Sequence, residues 1–131
     1  MPLRPEQLAR LCHEADRVLC GLQGDARVLP WDLLDENAQD ELVASVREIL
    51  EAPEVSDEAR HLNWATRQRA LGWAYGPVRS VVKKIDPGLL DYGALPFERR
   101  VRWSLFAAIV RALRLPTPEE VPRSAALAGA R

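Results

Sequence analysis

His61-Leu62-Asn63-Trp64-Ala65-Thr66-Arg67-Gln68-Arg69-Ala70-Leu71-Gly72-Trp73-Ala74-Tyr75-Gly76-Pro77-Val78-Arg79 carries more structural information than any other stretch of this chain. Its first half is helical in pattern: His61, Trp64, Ala65 and Gln68 stand at i, i+3, i+4 and i+7. Its second half cannot continue that helix. Gly72 and Gly76 bracket Trp73-Ala74-Tyr75, and a glycine inside a helix costs about 1 kcal/mol relative to alanine. Gly72 instead fits a left-handed C-terminal cap. Ser56 suits the N-cap, with Asp57 and Glu58 complementing the dipole in the first turn. A helix over 57–71 therefore runs into a glycine-flanked aromatic turn, in a chain whose aromatics amount to only 6%.

Upstream, Leu8, Leu11, Cys12, Ala15, Val18, Leu19 and Leu22 recur at helical spacing and predict an amphipathic helix over 5–22, ended by Gly21 and Gly24. Pro30 keeps the following connector extended. Asp35 caps a second helix over 36–51, whose stripe is Leu42, Val43, Val46, Ile49 and Leu50, and Pro53 closes it. Downstream, Gly76-Pro77, Asp86-Pro87-Gly88 and Gly93 predict loop with short strands near 73–79 and 89–92. The last helix spans 96–113 and is apolar on two faces. Val101, Leu105, Ala108, Ile109 and Ala112 form one stripe; Trp103, Phe106, Val110 and Leu113 form the other. A helix apolar most of the way round is buried or covered by a partner, so Trp103, Phe106 and Val110 are expected at a homodimer interface. The expectation is a mainly α, compact four-helix domain over 1–115, followed by a flexible tail over 116–131 rich in Pro, Ala, Ser and Gly.

Bulk composition narrows the function. At 131 residues the chain is one domain, 47% hydrophobic and 28% charged. With 18 Lys+Arg against 19 Asp+Glu the net charge is -1, so no global field recruits DNA, RNA or an anionic membrane. No apolar run approaches the roughly 20 residues that span a bilayer. Met1-Pro2-Leu3-Arg4-Pro5 leads straight into the amphipathic pattern, so no signal peptide is expected. Cys12 and Cys20, about 12 Å apart along one helix, are too distant for a disulfide. Reduced thiols suit a cytoplasmic protein.

Few residues suggest catalysis. His13-Glu14 begins like a zinc-protease helix, but the second histidine position is Arg17. His13 and His61 are the only histidines, and no C-x-x-C occurs, so no metal or cofactor is expected. Gly72-x-x-x-Gly76 lacks the lysine and hydroxyl of a phosphate loop. The aromatic turn is the better lead. Trp64 and Trp73 offer faces for a base, and stacking contributes roughly 1–3 kcal/mol per base. Arg79 and Lys83 follow within reach of phosphates. Composition alone leaves the tryptophans open as either core or ligand site.

The window, continued through Lys83, Asp86-Pro87, Tyr92, Leu95-Pro96 and Arg100, resembles the RyR domain, the repeat module of ryanodine receptors that also occurs singly in bacterial and phage proteins. Upstream the resemblance takes in Cys12-His13-Glu14-Ala15, Gly24-Asp25 and Pro30-Trp31, and covers roughly residues 8 to 113. It implies a non-enzymatic sensor of an adenine nucleotide or a cyclic ADP-ribose-like signal, working in antiphage signalling. The ligand residues it implies are Trp73, Trp64, Tyr75, Arg79, Lys83, His61 and Tyr92. A single copy would dimerise in place of tandem repeats. The chain departs from the family at Leu62 and Trp103, where relatives carry acids, at Ser80, and at Asp86, where histidine is usual. Backbone-shaping residues persist while polar ones have drifted, which keeps two alternatives in view: a protein-interaction module with no small ligand, and, last, a nucleotide-cleaving enzyme.

Overall fold

Side chains reaching back to the first turn fix two helix starts. Asp35 Oδ1 accepts from the Ala38 amide at 2.8 Å and opens α2 (Glu36–Glu51). Ser56 Oγ accepts from the Ala59 amide at 3.1 Å and opens α3 (Asp57–Ala70). α1 (Pro5–Leu22) places a proline in its first turn, where no amide partner is needed. α4 (Phe97–Leu113) follows Pro96. These elements come from a computed structural model, which describes residues 3–114. The tail expected over 116–131 lies outside the described residues.

α1 and α3 end the same way. Gly24 and Gly72 both sit at φ +92°, in the left-handed region where a Cβ is strained. Beyond α1, the Asp25 amide bonds to Cys20 O at 2.8 Å and the Gly24 amide to Gly21 O at 3.1 Å. Beyond α3, Trp73 N bonds to Gln68 O and Gly72 N to Arg69 O, each at 3.0 Å. Both are Schellman closures, which satisfy the orphan carbonyls and turn the chain sharply. Gly21 belongs to the last turn of α1; Gly24 makes the stop.

The architecture is mainly α. α1 packs against α2 and α4, α2 also touches α4, and α3 lies on α4. The main core joins Leu8, Ala9 and Cys12 of α1, Trp31 of the 3-10 turn before α2, Val46 and Ile49 of α2, and Ala107 and Val110 of α4. Full burial of a side chain such as Leu8 or Ile49 contributes about 1.5–3 kcal/mol. The Arg102 guanidinium grips Asp16 through two bonds, at 2.8 and 3.0 Å, and ties α4 to α1. No helix among the described residues is long and apolar enough to cross a membrane.

Two expectations are corrected. The short strands near 73–79 and 89–92 do not form. The segment holds two single-residue bridges, Ala74 to Ile85 and Ser80 to Ile85. Ile85 serves both, so neither pairing propagates, and Pro77 has no amide to extend one. Residues 92–94 form a 3-10 turn, Tyr92–Ala94. The proposed dimer residues also face inward. Val110 is fully buried within one chain, Phe106 packs against the same core, and Trp103 is enclosed by α3. α4 lies between α1–α2 on one side and α3 on the other, so its bulky stripe is already covered. The opposite stripe, with Val101, Leu105 and Ala108, lines an open groove.

Candidate functional site

His61 lies at the centre of an aromatic cage and is 2% exposed. Its ring stands 5.6 Å from Trp64, 5.8 Å from Tyr92 and 5.2 Å from Trp103, the last edge-on. Nε2 lies 2.7 Å from Leu90 O; a carbonyl only accepts, so Nε2 carries the proton. Nδ1 is buried without a partner among the described residues. A solvent-borne ligand has no access to this ring. Trp64 is equally committed: it meets Trp103 at 6.0 Å, and a Cβ on Gly88 would lie 3.3 Å from its Cη2. Glycine at 88 gives the loop a close approach to the indole that a Cβ would crowd.

Beside the cage is a residue that the sequence reading passed over. Arg60 is 2% exposed, donates to Asp57 Oδ1 at 2.5 Å and to Trp103 O at 3.1 Å, and sits 5.4 Å over the Trp103 ring. Its i–3 spacing from Asp57 was the available signal.

Trp73 and Arg79 do meet, but they satisfy each other. The Arg79 guanidinium lies 5.4 Å over the Trp73 ring, while its Nε donates to Asp86 Oδ2 at 3.4 Å. Asp86 also accepts from the Gly88 amide at 2.7 Å. At position 86 this chain therefore has a carboxylate that neutralises Arg79. Tyr75 and Lys83 are exposed on the same loop. Lys84 reaches back to Leu71 O at 2.9 Å, placing a cation on the last carbonyls of α3. Trp73, Trp64, Arg79 and Lys83 therefore do not converge on one cavity.

Among the described residues, two grooves offer room for a ligand. One, of about 630 Å³ between α2 and α3, includes Trp64, Gln68 and Arg67, but Glu41, Glu48 and Glu51 line it too. The other, of about 520 Å³, runs along α4 between Tyr92, Phe97, Arg100, Val101, Ser104 and Leu105, with no acid among its lining residues. Phe97 is exposed. Arg100 has a buried Nε with no partner among the described residues. Tyr92 is the one expected ligand residue that lines this groove. Phe97, Val101, Ser104 and Leu105 are groove residues that the sequence does not mark as ligand contacts, because periodicity on the last helix signals only core and partner faces.

The site has little reactive chemistry. Burial pushes the Cys12 thiol up to about 12, with Asp16 adding to the shift, and burial also raises Cys20. Both are free thiols, held protonated at neutral pH, and so poor nucleophiles. Arg17 and the Trp31 amide hold Glu14 below the usual carboxylate range, which keeps it an acceptor and no proton donor. Among the described residues no three His, Cys, Asp or Glu side chains gather as a metal site. No family model matches the chain, and no curated protein matches it, so geometry and residue chemistry carry the functional reading.

Proposed function

We propose that this protein is a non-enzymatic sensor domain that binds a small adenine-containing nucleotide, ATP or a cyclic ADP-ribose-like signal, in the groove along α4. The observation that carries the reading is the pairing of two aromatic rings, Tyr92 and Phe97, with Arg100, which has no acid partner among the described residues, in one open groove of about 520 Å³. That volume falls in the range of small-molecule sites. A base stacked on the rings gains roughly 1–3 kcal/mol. The Arg100 guanidinium offers phosphate a forked, charge-assisted contact. The α2–α3 groove is less suited, because Glu41, Glu48 and Glu51 would repel phosphate. Tyr92 and Arg100 both belong to the residues on which the RyR-domain resemblance rests, and that resemblance extends the proposal to antiphage signalling. A homodimer remains part of the proposal, through a surface other than Val110, which is buried within one chain.

Thermal-shift titration with ATP, ADP, AMP, ADP-ribose and cyclic ADP-ribose, each beside its nucleoside, tests the reading. A ligand at 100 times its Kd adds about 2.7 kcal/mol of stability. Phe97→Ala should leave the apo melting temperature near wild type, since the ring is exposed, and abolish the shift. Arg100→Ala should weaken nucleotides and spare nucleosides. Absence of any shift, or a shift that survives Phe97→Ala, overturns the proposal.

A further inference from the structure

Charge along this near-neutral chain is uneven. Between Glu58 and Asp86 there is no acidic residue, while Arg60, Arg67, Arg69, Arg79, Lys83 and Lys84 all fall in that interval, including both lysines of the chain. Two of these cations are engaged inside the fold or across to α2: Arg60 with Asp57, and Arg67 with Glu48 at 3.5 Å. The others crowd the end of α3 and the loop that follows it.

That loop is a built projection. The Ala74 amide bonds to Lys84 O at 2.9 Å and the Asp86 amide to Ala74 O at 3.0 Å. Ser80 and Ile85 exchange two backbone bonds, at 2.9 and 3.0 Å. Ile85 turns inward against Gly76, where an added Cβ would meet its Cγ2 at 2.1 Å. Lys84 takes the left-handed conformation, φ +54°, which closes the tip. While Ile85 is tucked in, the other branched residues point out: Val78 is 65% exposed, Val81 64% and Val82 96%. A projection with an apolar tip rimmed by Arg79, Lys83 and Lys84 marks an interaction surface.

We infer that this tip docks an extended, acidic segment of a partner protein, in which carboxylates alternate with apolar side chains. Lys83, with no acid partner among the described residues, supplies the complement to the carboxylates, and the valines the contact for the apolar positions. Backbone chemistry selects a peptide over a lipid surface. The amides of Tyr75, Val78, Arg79, Val81 and Val82 make no hydrogen bond among the described residues. A peptide strand offers them carbonyl acceptors, whereas hydrocarbon offers none. Nucleic acid would leave the valines uncovered. The tip shares no residue with the α4 groove, so this inference stands apart from the nucleotide reading.

The test uses a fluorescein-labelled ten-residue peptide of alternating Glu and Val, followed by anisotropy, with a Lys–Val peptide and phosphatidylcholine–phosphatidylserine vesicles as comparisons. The Glu–Val peptide should bind, weaken at least fivefold between 50 and 500 mM salt, and shift amide resonances of residues 75–84. The double variant Val81→Ser, Val82→Ser should lose at least fivefold in affinity, and Lys83→Glu at least threefold. Circular dichroism should show both variants folded, because the altered side chains are exposed, and both should keep any nucleotide-dependent thermal shift. No binding, equal binding of the Lys–Val peptide, affinity indifferent to the valine substitutions, or binding to the vesicles in place of the peptide would each overturn the inference.

Discussion

Replacing Asp57 should harm this protein more than replacing the arginine it holds. The Arg60 side chain is 2% exposed, and its one carboxylate partner among the described residues is Asp57 at 2.5 Å, itself 22% exposed. Asp57→Ala strands a guanidinium in the interior; removing one partner of a buried pair costs about 3–5 kcal/mol. The same change removes the acceptor of the Ser104 hydroxyl, bonded at 2.7 Å, and an acid from the first turn of α3. Together those contribute about 1 kcal/mol more. Arg60→Met deletes the charge while keeping much of the volume. It gives up a cation–π contact worth about 0.5–2 kcal/mol, and Asp57 retains both Ser104 and solvent. The expected cost is about 2 kcal/mol or less. Urea unfolding at pH 7 reads both, and the double variant should fall about 1 kcal/mol below Arg60→Met alone, the part of the Asp57 loss that does not involve Arg60. Equal costs, or a larger cost for Arg60→Met, would refute the account of Arg60 as a buried charge held in place by Asp57.

Gly72→Ala, at φ +92°, should cost more than about 1 kcal/mol, whereas Gly93→Ala, with open space around it, should stay within about 0.5 kcal/mol in the same urea assay. Val110→Ala should cost about 2 kcal/mol at any protein concentration, because its methyl groups fill one chain's core; a cost that vanishes on dilution would restore it to an interface. Neither thiol should react with Ellman's reagent until the protein unfolds. The Cys12 thiol stays protonated to about pH 12 in the fold but ionises near 8.5 when unfolded. Above about pH 9 the unfolded state therefore binds fewer protons, and stability should fall as pH rises towards 12, with a shallower slope in Cys12→Ala.

Local chemistry made much of this fold legible. Asp35 and Ser56 cap where a short acceptor precedes an amphipathic run, and Gly72 turns where periodicity stops. The mainly helical class followed from period 3.6 in four separate segments. Strand propensity misled over 73–79 and 89–92, because Trp73, Tyr75, Val78 and Tyr92 suggest strands while among the described residues only Ile85 pairs. α4 misled for another reason. Two apolar stripes suggest cover on both faces but not by what: α3 covers the Trp103 stripe, while Val101, Leu105 and Ala108 line an open groove. The site was the least legible part. Trp64, Trp73, Arg79 and His61 read as a pocket in one dimension. In three, His61 and Trp64 turn into the Trp103 cage, while Arg79 spends its charge on Trp73 and Asp86.

The central claim is that a nucleotide lies along α4 and avoids the tryptophan turn. An amide-resolved NMR titration of the intact protein with ATP tests this directly. The account predicts saturable shifts at Tyr92, Phe97, Arg100, Val101, Ser104 and Leu105, with Trp73, Arg79 and Lys83 unmoved. Shifts centred on the 73–83 loop, or none at millimolar ATP and cyclic ADP-ribose, would contradict it.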